Sequence, residues 1–433
     1  MKLIPLQIRN RKLSITALAM STTMPSQQST HNTSSIPIAF DAHNHIHLSM
    51  QGGIQPLKPE EMNLISGDSS DKMEEPIDKV VIGSEVGILS HAESIIKAFS
   101  SDEIMIAQKS NFHIGGIAMM STQPRDFPIV KKLANALSTC DGNDKVGTID
   151  PHNEMHVVRC YGVHPWFLKQ ANDDFVILKV NNTDQSRNPP PWLAYLRHNL
   201  ETDPTSHVGE IGLDGARYDI DPLTREKVLA ASMESQIEAF ESQMHLAADL
   251  KRSVSVHAVR CWGPLMNSLN SIKKKRMKMR KDQNSLRKRL ERERQFLERN
   301  DETNQSVERI NEIEDDMLVL PPIIYFHAFG GKPAVVDQLD AICREKSVAS
   351  HATETFYGFA PVVNFQSPKT ELVMEKVGIE RLVLESDLED YHSVLNDLET
   401  SVGFTARVFG MGEDDVLRQT NANARYIYGL TNY

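Results

Sequence analysis

Five short apolar runs in this chain each end in polar residues of a metal-binding type. They read IPIAFDAHNH, SHVGEIGLD, RSVSVHAVR, PPIIYFHAFGG and RLVLESDLED, and they offer His43, His45, Glu210, His257, His327 and Asp387. A continuous apolar run of this length is the pattern of a strand buried on both faces, as in parallel sheets. A polar side chain just past such a strand lies on the C-terminal face of a barrel, where (β/α)8 enzymes build their sites. Four imidazoles and two carboxylates converging there suit one or two divalent ions such as Mg, Mn or Zn. The expected fold is therefore α/β, a (β/α)8 TIM barrel, and the expected chemistry is hydrolysis by metal-activated water.

The rest of the chain agrees with that class. Eight strand candidates lie near 37–43, 115–121, 156–163, 206–212, 253–257, 322–327, 356–363 and 381–386, with helical patterns between many of them. The clearest helix is SMESQIEAFESQMHLAADLKR, with apolar Ile237, Phe240, Met244, Leu246 and Leu250. Its last residues, Lys251 and Arg252, suit the negative end of a helix. At 433 residues the chain exceeds a typical barrel of about 250 residues. With one set of strand-end ligands and no internal repeat, the surplus reads as insertions and a tail on one domain over 36–433.

Residues 1–35 carry Lys2, Arg9, Arg11 and Lys12, no acidic residue and many Ser and Thr, which reads as a disordered or organelle-targeting tail. The expected location is cytoplasmic or nuclear, with mitochondria as the alternative that this tail raises. A first insertion spans about 50–112; its start, rich in Gly, Pro, Ser and acids, is expected to loop over the barrel mouth. A second spans about 270–318. Residues 273–299 hold 13 basic and 4 acidic side chains, a net of +9, and residues 301–316 hold 7 acidic and 1 basic, a net of −6. Apolar residues near helical spacing make this a helical hairpin with opposed charged arms. It is either a self-neutralising solvated element or a basic arm for a phosphate backbone or a protein partner.

Net charge is −11, so a nucleic-acid substrate needs a local positive patch or metal contacts. Cys140, Cys160, Cys261 and Cys343 are widely spaced with no CxxC, which suits free thiols in a reducing compartment. No apolar run approaches the roughly 20 residues of a membrane span.

In a strand, residues two apart share a face, so His43 and His45 are expected to point together into the mouth, with Asp41 deeper on the same side. A carboxylate can bind one ion through each oxygen, which makes Glu210 the natural bridge between two metals. Asp214 is a candidate for orienting a ligand or contacting substrate. Tyr161, Trp166 and Phe167 are either core residues or stacking surfaces for bases.

Read in order, FDAHNH, YGVHP, VGEIGLD, VHAVR, FHAFGG and ESD resemble the TatD family of metal-dependent hydrolases and deoxyribonucleases from about Phe40 onwards. The resemblance implies metal ligation by His43, His45, Glu210, His257, His327 and Asp387, with Glu210 bridging. It implies that Asp387 accepts the proton of the attacking water and that Arg260, in the HxxR position, binds phosphate. His164 is taken as a substrate-contacting or proton-donating residue. Two departures stand out: His47 where the family often has an acid, and Ser386 where it commonly has Thr. The implied activity is 3′-to-5′ exonuclease action on single-stranded DNA or RNA. Other hydrolysis, of an amide, ester or aminoacyl-tRNA, uses similar ligand sets, and a non-catalytic interaction protein is the third alternative.

Overall fold

The structure is a computed structural model that describes residues 37–49, 85–100, 111–140, 155–177, 190–220, 224–299, 317–344 and 352–430. Its strands are β1 (Ile38–Asn44), β2 (His113–Met120), β3 (His156–Tyr161), β4 (His207–Asp214), β5 (Tyr218–Ile220), β6 (Lys227–Leu229), β7 (Val254–Val259), β8 (Ile323–Phe326), β9 (Glu354–Phe359) and β10 (Leu382–Leu384). β5 and β6 form an antiparallel hairpin, and the other eight form one parallel sheet in sequence order. The two ends of the sheet meet at the top: Asp387 N donates to His43 O at 3.0 Å, and His45 N to Leu388 O at 2.9 Å. The result is a nearly closed TIM barrel, and all eight expected strands are present.

Alternation along the strands sorts side chains into two layers. Ile117, Ile211, Leu213, Val254, Val256, Ile324, Phe326, Leu382 and Leu384 belong to the layer that packs against the surrounding helices. Phe40, Ala42, Ala118, Met120, Val158, Cys160, Ile323, Tyr325, Phe356 and Val383 fill the barrel interior. Strand interiors of this kind are packed cores, not pores. The floor is made by the last helix. Ala424, Ile427 and Tyr428 join the interior cluster, the Tyr428 ring lies 6.0 Å from Phe40, and its hydroxyl donates to Ala42 O at 2.7 Å.

Between the strands lie α1 (Glu85–Ser100), α2 (Phe127–Cys140), α3 (Leu168–Ile177), α4 (Pro191–Thr202), α5 (Met233–Asp249), α6 (Trp262–Arg299), α7 (Pro333–Cys343), α8 (Pro361–Asn364), α9 (Thr370–Val377), α10 (Tyr391–Phe409) and α11 (Glu413–Ile427). The start of the first insertion, where a mouth-covering loop is expected, lies outside the described residues, and its later part is a helix. In α1, Ile88, Ala92, Ile95 and Phe99 are buried at helical spacing, so this part is the ordinary crossover helix between β1 and β2. Residues 50–84 and 101–110 lie outside the described residues, as does the tail 1–35.

The clear helix of the sequence is α5, capped by Ser232, whose side chain accepts from Ser235 N. Arg252 does not serve this helix's own end. Its guanidinium donates to Pro204 O and to Leu200 O, the carbonyl end of α4. The basic arm is the continuous 38-residue α6, roughly 57 Å long at 1.5 Å per residue. Leu265, Leu269 and Ile272 bury its first turns, and exposure takes over from Met277. Arg276, counted in sequence among the charged surface, is 2 % exposed. Its Nε donates to Leu318 O at 2.8 Å and its Nη2 meets Asp249 at 2.8 Å, so it pins the returning chain to α5 and α6. The acidic arm 301–316 falls outside the described residues.

Two outcomes follow from this packing. Arg276→Ala leaves Leu318 O buried without its donor and is expected to cost ~2 kcal/mol in a denaturant titration. His207 sits at the barrel floor with Nε2 at 3.2 Å from Tyr428 O and a buried Nδ1 without a partner. Burial lowers its pKa to about 4. The folded state keeps it neutral while the unfolded chain protonates near pH 6.5, so its contribution is complete above pH 6.5 and is lost as pH falls towards 4. The stability difference between wild type and His207→Asn, measured by urea unfolding across that window, is expected to shrink on acidification and to stay flat above pH 7.

Candidate metal centre

Two register shifts build the site. β1 slips against β2 between Asp41 and Asn44, and β4 slips against β7 between Val208 and Ile211. An extra residue in a strand re-aims the side chains beside it. Here the slips fall at His43 and at Glu210. His43 and His45 nonetheless point together, as the H-x-H spacing predicts, with their Nε2 atoms 3.3 Å apart. Gly212 allows the second arrangement: a Cβ there would stand 2.0 Å from His257 O, so only glycine lets β7 come this close.

Glu210 is the centre, with 3 % of its surface exposed. Its Oε2 lies 3.1 Å from His45 Nε2 and 3.5 Å from His43 Nε2. Its Oε1 lies 3.0 Å from His257 Nδ1, 2.6 Å from His327 Nε2 and 3.2 Å from His164 Nε2. Asp387 Oδ1 stands 3.7 Å from His43 Nε2 and 3.8 Å from His45 Nε2. The backbone of Asp387 takes a left-handed φ of 57°, and its N–H is tied to His43 O. All six expected ligands thus meet in one place, and His164 joins them. Arg260 does not: it is exposed, with a φ of 52°, and makes no ion pair among the described residues.

The far nitrogens of the imidazoles decide which of them offer a lone pair. His45 Nδ1 lies 2.8 Å from Met120 O, which only accepts, so that nitrogen carries the proton and Nε2 is bare in the neutral ring. His257 Nε2 lies 3.1 Å from Asp214 Oδ2, which leaves Nδ1 bare towards Glu210. His164 is the opposite case. Its Nδ1 accepts from Trp166 N at 3.2 Å, so its proton sits on Nε2 and points at Glu210. His43 Nδ1 meets Ser255 Oγ at 3.0 Å. His45 and His257 are therefore set up as ligands and His164 as a hydrogen-bond donor. Glu210 lies within metal-holding distance in two groups, with His43 and His45 and with His164 and His257, while His43, His327 and Asp387 make a third.

Asp214 is fully engaged, with His257, Trp166 Nε1 at 2.6 Å, Ala216 N at 2.5 Å and Arg217 N at 3.0 Å. Burial would raise its pKa, but hydrogen bonds from His257, Trp166 and Ala216 outweigh this and hold the carboxyl well below the usual range. Burial likewise opposes charge on Glu210, and the imidazoles His164 and His327 overcome it and keep the carboxylate ionised. For His45 and His257, burial is outweighed by the neighbouring carboxylates, Glu210 for both, with Asp387 and Asp214 respectively, and each pKa rises to about 9. Burial lowers that of His164 to about 4.

Asp41 does not orient a ligand ring. It accepts from Ser386 Oγ at 2.6 Å and Ser386 N at 2.9 Å, so Ser386 locks β10 to β1. His47 leaves the strand in a short 3-10 turn and faces Asp126 at 3.7 Å, away from the ligands. Tyr161 is core, and Trp166 is 40 % exposed at the site. Two contributors were missed in the sequence. Ser255 is signalled only by being two residues before His257. Glu385, in the E-S-D motif itself, is buried beneath the ligands, accepting from Tyr325 Oη and from Ala328 N at 2.5 Å. Burial, with Asp387 nearby, pushes its pKa well above the ordinary carboxylate value.

The donor set fits a metal. For metal–ligand bonds of about 2.1 Å, tetrahedral ligands stand roughly 3.4 Å apart. His43 Nε2, His45 Nε2 and Glu210 Oε2 stand 3.1 to 3.5 Å from one another, and Asp387 Oδ1 stands 3.7 and 3.8 Å from the two imidazole nitrogens.

The family described as TatD related DNase matches residues 90–429. The fission yeast (Schizosaccharomyces pombe) Cut9-interacting protein scn1 is 23 % identical over 362 residues, covering 74 % of this chain and 94 % of that protein. Among solved structures, a hydrolase TatD family protein from Entamoeba histolytica is 13 % identical with a TM-score of 0.46, covering 92 % of this chain and 100 % of that one. The TatD homologue YJJV from Escherichia coli is 18 % identical with a TM-score of 0.43, covering 76 % and 92 %. The family match spans most of the sequence and takes in Glu210, His257, His327 and Asp387: this chain belongs to the TatD-related DNase family of metal-dependent hydrolases.

Proposed function

We propose that the protein is a metal-dependent phosphodiesterase that trims single-stranded nucleic acid from its 3′ end. One observation carries this reading: the two oxygens of Glu210 face separate sets of imidazoles, His43 and His45 on one side, His257 and His327 on the other. A carboxylate so placed suits two ions, and two ions suit a phosphodiester because charge grows on both attacking and leaving oxygens. When bound, the ions acidify water towards a pKa of about 7 and offset that charge.

The chain's own groups supply the rest. Asp387 takes a proton as a water oxygen attacks phosphorus, and its backbone bond to His43 fixes its carboxylate for that task. The bond from phosphorus to the leaving oxygen breaks, and the proton held by Asp387 passes through solvent to that oxygen. His164, with its proton on Nε2, hydrogen-bonds to that oxygen. Asp214 holds His257 and has no acceptor site left for substrate. Arg260, exposed three residues beyond His257, is left to clamp a phosphate through two parallel hydrogen bonds.

The decisive assay is degradation of end-labelled single-stranded DNA by the purified protein with Mg or Mn. A ladder shortening one nucleotide at a time from the 3′ end is expected, abolished by chelator and reduced by about 100-fold or more in Asp387→Asn. No cleavage with any metal, together with metal-dependent turnover of amide or ester substrates, would assign the site to other hydrolysis. A second outcome concerns binding alone. Zn or Mn is expected to raise the melting temperature of the wild type by several degrees in a thermal scan, and to leave Glu210→Gln unmoved, because only the folded state assembles the ligands.

A further inference from the structure

We propose that Trp166, Arg217 and one face of the β5–β6 hairpin form a wall that binds the nucleobase of the nucleotide being removed. This rests on the phosphodiesterase reading and adds the chemistry that would select a nucleotide over a base-free phosphodiester.

Trp166 is exposed yet held rigidly. It lies in the turn Pro165–Phe167, its indole N–H donates to Asp214 at 2.6 Å, and its backbone N–H donates to His164. Its ring meets His164 edge-on at 5.0 Å and His257 at 6.0 Å. An aromatic plane therefore begins where the metal ligands end. The Arg217 guanidinium lies over one face of the indole, 4.9 Å from the ring centre, so a base on that side stacks on the guanidinium plane, and Arg217 N is fixed by the same Asp214 carboxylate. A large aromatic fixed at both its ring and its backbone loses little entropy when a base stacks on it. The guanidinium adds a positive charge beside the path of the phosphates.

The hairpin extends the surface. Opposed residues of an antiparallel pair share a face, so Tyr218, Leu229, Ile220 and Lys227 lie together. Tyr218 is 50 % and Ile220 52 % exposed. The hairpin springs from the residues next to Asp214, so it begins at the rim of a charged metal site. A terminal nucleotide matches the combination, with phosphate at the ligands, base on the indole and the neighbouring residue along the hairpin. An amide or a simple phosphate ester has no use for it.

Two measurements on the full chain with Mn test this. In the first, intrinsic fluorescence is followed during titration with deoxyadenosine 5′-phosphate or deoxyribose 5-phosphate. Trp192 is 1 % exposed and Trp262 part-buried, so a stacking quencher reports mainly on Trp166. Quenching by the nucleotide alone, lost in Trp166→Leu, is expected. In the second, oligonucleotides ending in a 3′ base or a 3′ abasic sugar are compared. The wild type is expected to favour the base about tenfold or more. Trp166→Leu and Arg217→Gln bring the ratio towards one, while Trp166→Phe retains it. A purely structural Trp166 would slow both substrates equally, and equal rates in the wild type overturn the proposal. If the wild type cleaves neither substrate but nucleotide quenching persists, the nuclease reading falls and the base-binding wall stands. If quenching is absent as well, both fall.

Discussion

A carboxylate keeps its charge inside a protein only if cations or hydrogen bonds surround it. Glu210 sits in that position at the mouth of the barrel, and much of the site can be read as the answer to it. Its two oxygens draw imidazoles from four other strand ends, β1, β3, β7 and β8. Each strand must then reach the centre at the right height. The register slips in β1 and β4 achieve this, and glycine at 212 makes room for it. Outer groups turn the rings. Met120 O, Ser255 and Asp214 hold the far nitrogens of His45, His43 and His257, and the Trp166 backbone holds that of His164. The same constellation that stabilises a buried anion is the one that would receive cations.

Much of this was legible in the sequence because it depends on composition along single strands. Each apolar run became a barrel strand, and each polar residue at its end reached the centre. What was not legible depends on contacts between strands. Period-two reasoning placed Asp41, His43 and His45 together; the two histidines do converge, but Asp41 is taken up by Ser386 just past β10, a partner no local pattern announces. No local signal distinguishes Arg276 from the twelve other basic residues of its stretch; only the return of the chain at Leu318 makes it a core residue. The hairpin strands YDI and KVL are too short and too exposed to show a period. The feature that sets His164 apart, a backbone N–H at its Nδ1, is visible only in three dimensions.

Trp166 links the two sides of the site. Its backbone fixes the proton of His164, and its indole, through Asp214, fixes that of His257. A residue that serves two histidines of the site while keeping 40 % of its own surface in solvent is under competing demands. Anchoring favours burial, and exposure has to be maintained against the hydrophobic effect. The backbone bond to His164 survives any substitution but proline, whereas the bond to Asp214 depends on the indole itself.

The floor of the barrel bears on how the protein is made. Tyr428 closes the interior by bonding to Ala42, a residue 386 positions earlier. β1 likewise finds β10 only through residues 345 apart, Asp41 and Ser386. A chain emerging from the ribosome can pair β1 with β2 and β3 early, but it carries its histidines without their carboxylate partners and its apolar interior without a floor. Until the last helix is released the barrel stays an open sheet with unpaired edges, the form most prone to associate with other chains. Synthesis itself therefore delays the metal centre, which cannot form on a nascent fragment however many of its ligands have already been translated.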